Sequence, residues 1–293
     1  MTSPLGRFVF RSLEFVQSQQ LFSGELVCVQ RLPHGAATCA CPIAATFVRD
    51  SLSFIDPSSL ACEWRVIDFI PTARRRKFAA IVAGLRWRLR SYIASEQNCD
   101  GSWHFYGRQS SLRPDLATTA CAATELWRSE PAHIPRKYDA NFWRRLGTHD
   151  LYAAAQMLRF VGLTGIALPE LEPRVCDAID GSKDLSIFEL QAVARAWRGG
   201  PESDRVRNLL VSKLLNLRTT DPLQAALKTS ALLDLDFAGP ILQDVASFLD
   251  NELVSDGLYE TFCDRGVASP AVTAALILAN TIRIAAQTAR PWN

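Results

Sequence analysis

Residues 97–127 read QNCDGSWHFYGRQSSLRPDLATTACAATELW. A helical pattern runs into this stretch and stops at Asp100-Gly101. Glycine suits the left-handed residue that ends a helix. Aromatic residues follow at Trp103, Phe105 and Tyr106, and then Pro114-Asp115-Leu116 opens a second, Ala-rich apolar pattern. Proline fits a first helical turn, where its missing N–H has no helical partner. The stretch therefore reads as a junction between two helices of different character, and the fold depends on whether that junction recurs.

It recurs. FVQSQQLFSGEL (15–26), YIASEQNCDGSW (92–103) and FLDNELVSDGLY (248–259) align without gaps, and place Gly24, Gly101 and Gly257 at the same position. Each leads to an apolar helix that opens beside a proline: Pro42, Pro114 and Pro270, with Pro222 after Asp221 as a fourth case. Spacing and capping signals predict twelve helices: 7–20, 42–56, 74–97, 115–129, 138–146, 149–163, 170–180, 185–198, 202–217, 221–236, 239–253 and 269–288. Leu26 to Gln30 is the one strand candidate.

The even-numbered helices are apolar nearly all round, as in LATTACAATELW, LYAAAQMLRFVGL and PAVTAALILAN. Such helices are surrounded by protein. The odd-numbered ones carry charge on one side, as in PESDRVRNLLVSKLLNL. Wrapped helices alternating with amphipathic ones predict six inner helices inside six outer ones. That is an all-α fold, an (α/α)6 barrel, occupying residues 1–293 as a single domain. Six parallel inner helices aim their N-termini at one mouth, where free N–H groups favour negative charge.

Composition narrows the function. The chain is 48% hydrophobic and 21% charged, enough apolar content for a large core. Net charge is +2, from 32 basic and 30 acidic residues, so nothing draws the whole molecule to nucleic acid. No run of about 18 uninterrupted apolar residues is apparent. Met1 to Arg11 lacks a signal-peptide core. The expected location is cytoplasmic, with contact to a membrane surface as an option. Eight scattered cysteines without a C-x-x-C pattern fit reduced thiols. Cys39-Ala40-Cys41 beside His34 matches no common zinc spacing, so no metal and no cofactor is expected.

QNCDGSW resembles a degenerate QW repeat, and Pro114-Asp115-Leu116-Ala117-Thr118-Thr119-Ala120 is similar to the P-D-x-D-D-T-A segment of squalene–hopene cyclases and related class II terpene cyclases. The similarity is specific within residues 97–124. It implies an (α/α)6 barrel, an isoprenoid substrate, and a reaction started by a carboxylic acid that protonates an alkene or epoxide while aromatic rings shelter the cations. Asp115 matches the first Asp of the motif, whereas Ala117 stands where the proton donor belongs and Thr118 where the last Asp belongs. The expected activity is an acid-initiated cyclisation or isomerisation, of the isomerase or lyase type, using another acid. The alternative is a non-catalytic barrel that binds a lipid or a partner protein.

Several residues are candidates for that acid. Asp115 is either an N-cap or a carboxyl facing the mouth. His149-Asp150 is a base at a helix N-terminus or a capping pair. Glu260 and Asp264 form an acid pair or belong to a solvated loop. Phe47, Trp103, Phe105, Tyr106 and Tyr259, with Thr118, are candidates for holding an apolar isoprenoid-type substrate, the rings acting on cations through their faces or serving as core. No D-D-x-x-D metal–diphosphate motif stands at a mouth position; Asp234 and Asp236 fall at the far end of their helix.

One outer position stands apart. Phe78, Ile81, Val82, Leu85, Leu89 and Tyr92 form the buried stripe of the third helix, and Trp87 falls opposite it among Ala80, Ala83 and Gly84, with Arg76 and Arg90 on the same side. This predicts a stray surface ring, a homodimer contact, or a contact with an anionic membrane.

Overall fold

Alanine-rich, leucine-rich runs broken by Gly, Pro and Asp set the element boundaries, and the chain is mostly helical. The structure is a computed structural model that describes residues 4–32, 34–56, 70, 72–129, 138–146, 150–182, 184–197, 203–219, 222–237, 262–263 and 267–288. Its helices are α1 (Pro4–Ser18), α2 (Pro42–Ser53), α3 (Thr72–Ser95), α4 (Leu116–Ser129), α5 (Ala140–Leu146), α6 (Leu151–Thr164), α7 (Leu171–Gly181), α8 (Ile187–Ala196), α9 (Ser203–Asn216), α10 (Pro222–Asp234) and α11 (Pro270–Thr288). Each coincides with an expected helix to within a few residues at its ends. The helix expected at 239–253 lies outside the described residues.

Strand content exceeds expectation. The Leu26–Gln30 candidate becomes β1 (Cys28–Leu32), which forms a hairpin with β2 (Gly35–Cys39). With β3 (Phe262–Cys263) and β4 (Val267–Ala268) they make an antiparallel sheet in the order β2-β1-β4-β3. The GAATC segment of β2 is short and weakly β-branched, so alternation gives little warning of it. The sheet has a clear consequence. Val29 pairs with Ala268, which draws the start of α2 and the start of α11 together.

The apolar helices pack in cyclic order. α2 packs on α4, α4 on α6, α6 on α8, α8 on α10, α10 on α11, and α11 back on α2. The amphipathic helices lie against them: α1 on α11, α3 on α2 and α4, α7 on α6, and α9 on α8 and α10. The window Pro270–Gln287 of α11 is long and apolar enough by length and composition to cross a membrane, although Asn280 and Arg283 interrupt it. Yet 83% of it is buried among its helical neighbours, as befits a core helix.

Helix starts follow their capping chemistry. Asp150 caps α6 by accepting from the Ala153 N–H at 2.6 Å. Ser186 and Glu189 form a reciprocal capping box at α8. Gly165 closes α6 in the left-handed conformation at φ 73°.

Candidate functional site

The junction at residues 97–103 shares its turn geometry and several hydrogen bonds with its counterpart at 20–26. Gly24 and Gly101 have φ of 92° and 96°. Gln20 Nε2 donates to the Gly24 carbonyl at 3.1 Å, and Gln97 Nε2 to the Gly101 carbonyl at 3.2 Å. Ser18 Oγ donates to Phe15 O at 2.7 Å and Ser95 Oγ to Tyr92 O at 2.8 Å. Leu26 and Trp103 fill the equivalent apolar positions, both buried. A Cβ on Gly24 would collide with the Arg88 carbonyl oxygen, so that turn sits directly on α3. Gly257, the third member, lies outside the described residues.

Trp103 and the start of α4 are bound to each other. The Trp103 indole N–H donates to Ile93 O at 2.7 Å, and its backbone N–H donates to Thr119 Oγ1 at 3.0 Å. The Asp115 N–H donates to Trp103 O at 2.8 Å. The Asp115 carboxylate oxygen Oδ2 accepts from the Thr118 N–H at 2.8 Å and from Thr118 Oγ1 at 2.6 Å. That is the geometry of an N-cap, with Thr118 as its donor. Phe105 is buried with Tyr106 edge-on at 4.9 Å, and Phe47 packs partly buried against the core. Asp150 is an exposed cap on α6. His149, Tyr259, Glu260 and Asp264 lie outside the described residues. Of the sequence candidates, the structure thus brings together Trp103, Asp115 and Thr118, and each of the three is engaged in holding the junction.

A second constellation carries the charge. Each of the six cyclically packed helices contributes to it from its C-terminal half. Asp50 of α2 meets Arg128 of α4 at 2.5 Å, Arg159 of α6 at 2.5 Å and Arg195 of α8 at 2.7 Å. Asp234 of α10 meets Arg195 and Arg283 of α11, each at 2.8 Å. Glu125 of α4 meets Arg49 at 2.7 Å, Arg128 at 3.2 Å and Arg159 at 3.5 Å. Arg195 and Arg283 also stack on the Phe54 ring, each 4.3 Å from its centroid. Outside the cycle, Arg86 of α3 pairs with Asp56. Since the six C-terminal halves meet here, the six helices run in one direction. α2 and α8 are opposite in packing order, so the Asp50–Arg195 pair spans the middle of the cycle.

Electrostatics favour the ionised form of Asp50 at the centre of this network. Burial alone would raise the Asp50 carboxyl; Arg159, Arg195 and Arg128 outweigh it and hold Asp50 well below the usual carboxylate range. Burial draws the Arg159 guanidinium downward, against the pull of Asp50. Among the described residues, five guanidinium groups (Arg49, Arg128, Arg159, Arg195, Arg283) face three carboxylates (Asp50, Glu125, Asp234). The buried Arg159 Nε and Arg283 Nη1 have no hydrogen-bond partner among the described residues. The helices expected to be apolar nearly all round therefore carry a charged network at their C-terminal ends. The signal for this is present in the sequence as lone charges inside Ala-rich helices, since buried charge survives only when paired.

Among the described residues, no group of three His, Cys, Asp or Glu side chains is arranged to hold a metal ion. Near the sheet, the Cys28 thiol is lowered by a hydrogen bond from Cys41, while burial pushes Cys39 up to about 11. No protein-family model matches the chain, and a search of curated proteins finds no match.

Proposed function

We propose that this chain is an (α/α)6 barrel, related in architecture to the squalene–hopene cyclases, that binds an isoprenoid-type lipid with an anionic head without cyclising it. The cyclic packing order of α2, α4, α6, α8, α10 and α11, with the amphipathic helices outside, supports the barrel. The paired Gly24 and Gly101 junctions support the QW-type repeat.

The observation that carries the function is the partnering of the carboxylates. Protonating an alkene requires a carboxyl kept neutral by burial or by a like charge. Asp50, Glu125 and Asp234 instead face guanidinium groups, and Asp115 caps a helix through two donors. The excess of guanidinium over carboxylate at the C-terminal end, with the donors Arg159 Nε and Arg283 Nη1, suits an anionic head such as a diphosphate. Ala-rich helix faces nearer the N-terminal ends suit an apolar chain.

A catalytic reading draws on one observation, the placing of Asp115 at the start of α4 in contact with the QW-type turn. One experiment separates the two. The protein is incubated with prenyl diphosphates of increasing length and with squalene, its melting is followed, and products are analysed by mass. Prenyl diphosphates are expected to raise the melting temperature and to be recovered unchanged. A cyclised or isomerised product would establish the enzyme and overturn the binding reading, as would the absence of any shift with every diphosphate.

A further inference from the structure

We propose that the outer face formed by α1 and α3 docks on an anionic lipid surface. The proposal does not depend on what the barrel interior binds. α3 carries Arg74, Arg75, Arg76, Lys77, Arg86, Arg88 and Arg90 and no acidic residue in its 24 positions. Its buried stripe is Phe78, Val82, Leu85, Leu89, Tyr92 and Ile93. The opposite side presents Arg76, Ala80, Ala83 and Ala94, with Trp87 64% exposed at its centre. Small side chains around Trp87 leave its ring standing above the helix.

A second element adds to this face. Phe10 of α1 lies against Phe78 of α3 at 6.1 Å, and the turn that follows α1 rests on Arg88 and Tyr92 through Gly24. α1 and α3 therefore run side by side in the same direction. The tip of that turn is Leu21-Phe22, 46% and 104% exposed, level with the carboxy-terminal part of α3 that bears Trp87. At the other end, Arg11, Arg74 and Lys77 surround a hollow floored by Phe10, with Glu14 as its acid. Trp87, Leu21 and Phe22 are thus exposed at the same level along α3, a helix whose Arg74, Arg76 and Lys77 are also exposed.

That combination selects the partner. A nucleic acid satisfies the cations but gives nothing to Leu21 and Phe22, which protrude from a turn and not from a stacking groove. A second protein copy would have to oppose the exposed Arg74, Arg76 and Lys77 with the same cations across a symmetric contact. An anionic bilayer satisfies both parts: phosphates meet the Arg and Lys groups, while Trp87, Phe22 and Leu21 enter the headgroup boundary.

Flotation with lipid vesicles tests it. The protein is expected to float with phosphatidylglycerol–phosphatidylcholine vesicles at low salt, to be released by high salt, and to ignore pure phosphatidylcholine. Trp87→Glu and Phe22→Glu should each lower the bound fraction by about five-fold or more without changing the melting temperature, whereas Leu215→Glu, elsewhere on the surface, should not. No flotation, or flotation insensitive to Trp87→Glu and Phe22→Glu, overturns the proposal. So does equal binding of duplex DNA by wild type and Trp87→Glu, or a wild-type dimer that Trp87→Glu dissociates.

Discussion

Asp50→Ala is expected to lower the free energy of unfolding by about 3–5 kcal/mol, the loss typical when one member of a buried ion network is removed. Asp50 is the anion shared by Arg128, Arg159 and Arg195, which come from three different helices. Without it, three guanidinium groups remain buried close together, and their mutual repulsion adds to the desolvation already incurred. Asp50→Asn should cost nearly as much, because the amide keeps the shape and loses the charge. Urea unfolding followed by circular dichroism measures both. The same linkage fixes the pH response. The folded-state Asp50 pKa lies below its unfolded value of about 3.9, so its contribution is complete above that value. It is lost as pH falls through the lower folded pKa, which places the loss below about pH 4. A change of less than 1 kcal/mol in Asp50→Ala would mean that these arginines do not depend on it.

Trp103→Ala should be comparably damaging, at about 3–5 kcal/mol, by removing a large fully buried ring. Its indole N–H also holds Ile93 O in the last turns of α3, while its backbone is tied to Thr119 and Asp115 at the start of α4. Trp103→Phe keeps most of the volume and leaves Ile93 O without the indole donor, so about 1–3 kcal/mol is expected. Trp87→Ala, on the exposed side of α3, should change stability by no more than about 0.5 kcal/mol. Equal effects at Trp87 and Trp103 would contradict the packing of this junction.

The helices were legible because their patterning is local: Ala-rich faces, prolines at first turns and glycines at the junctions are all visible within a dozen residues. The hairpin partner Gly35–Cys39 was not, since GAATC carries little β signal and gains its strand from pairing with Cys28–Leu32. Asp115 as a helix cap was readable from its place before an apolar run. The ion network was readable only in part. Asp50, Arg159, Arg195 and Arg283 each stand out as a charge inside an apolar helix, but Asp50 and Arg195 are 145 residues apart in sequence. Which charges meet is decided by the cyclic order in which the helices pack, and that is a property of the assembled chain.

The buried Asp50 carboxylate acts as a fixed counter-ion and not as a proton donor. Carbon-13 NMR of the assigned Asp50 carboxyl, titrated downward from neutral pH, tests this most directly. Asp50 is expected to remain ionised until well below the ordinary range for aspartate, with its titration merging into acid unfolding. An Asp50 carboxyl that takes up a proton above about pH 6 would contradict it, because a carboxyl neutral at that pH is the acid a cyclase needs.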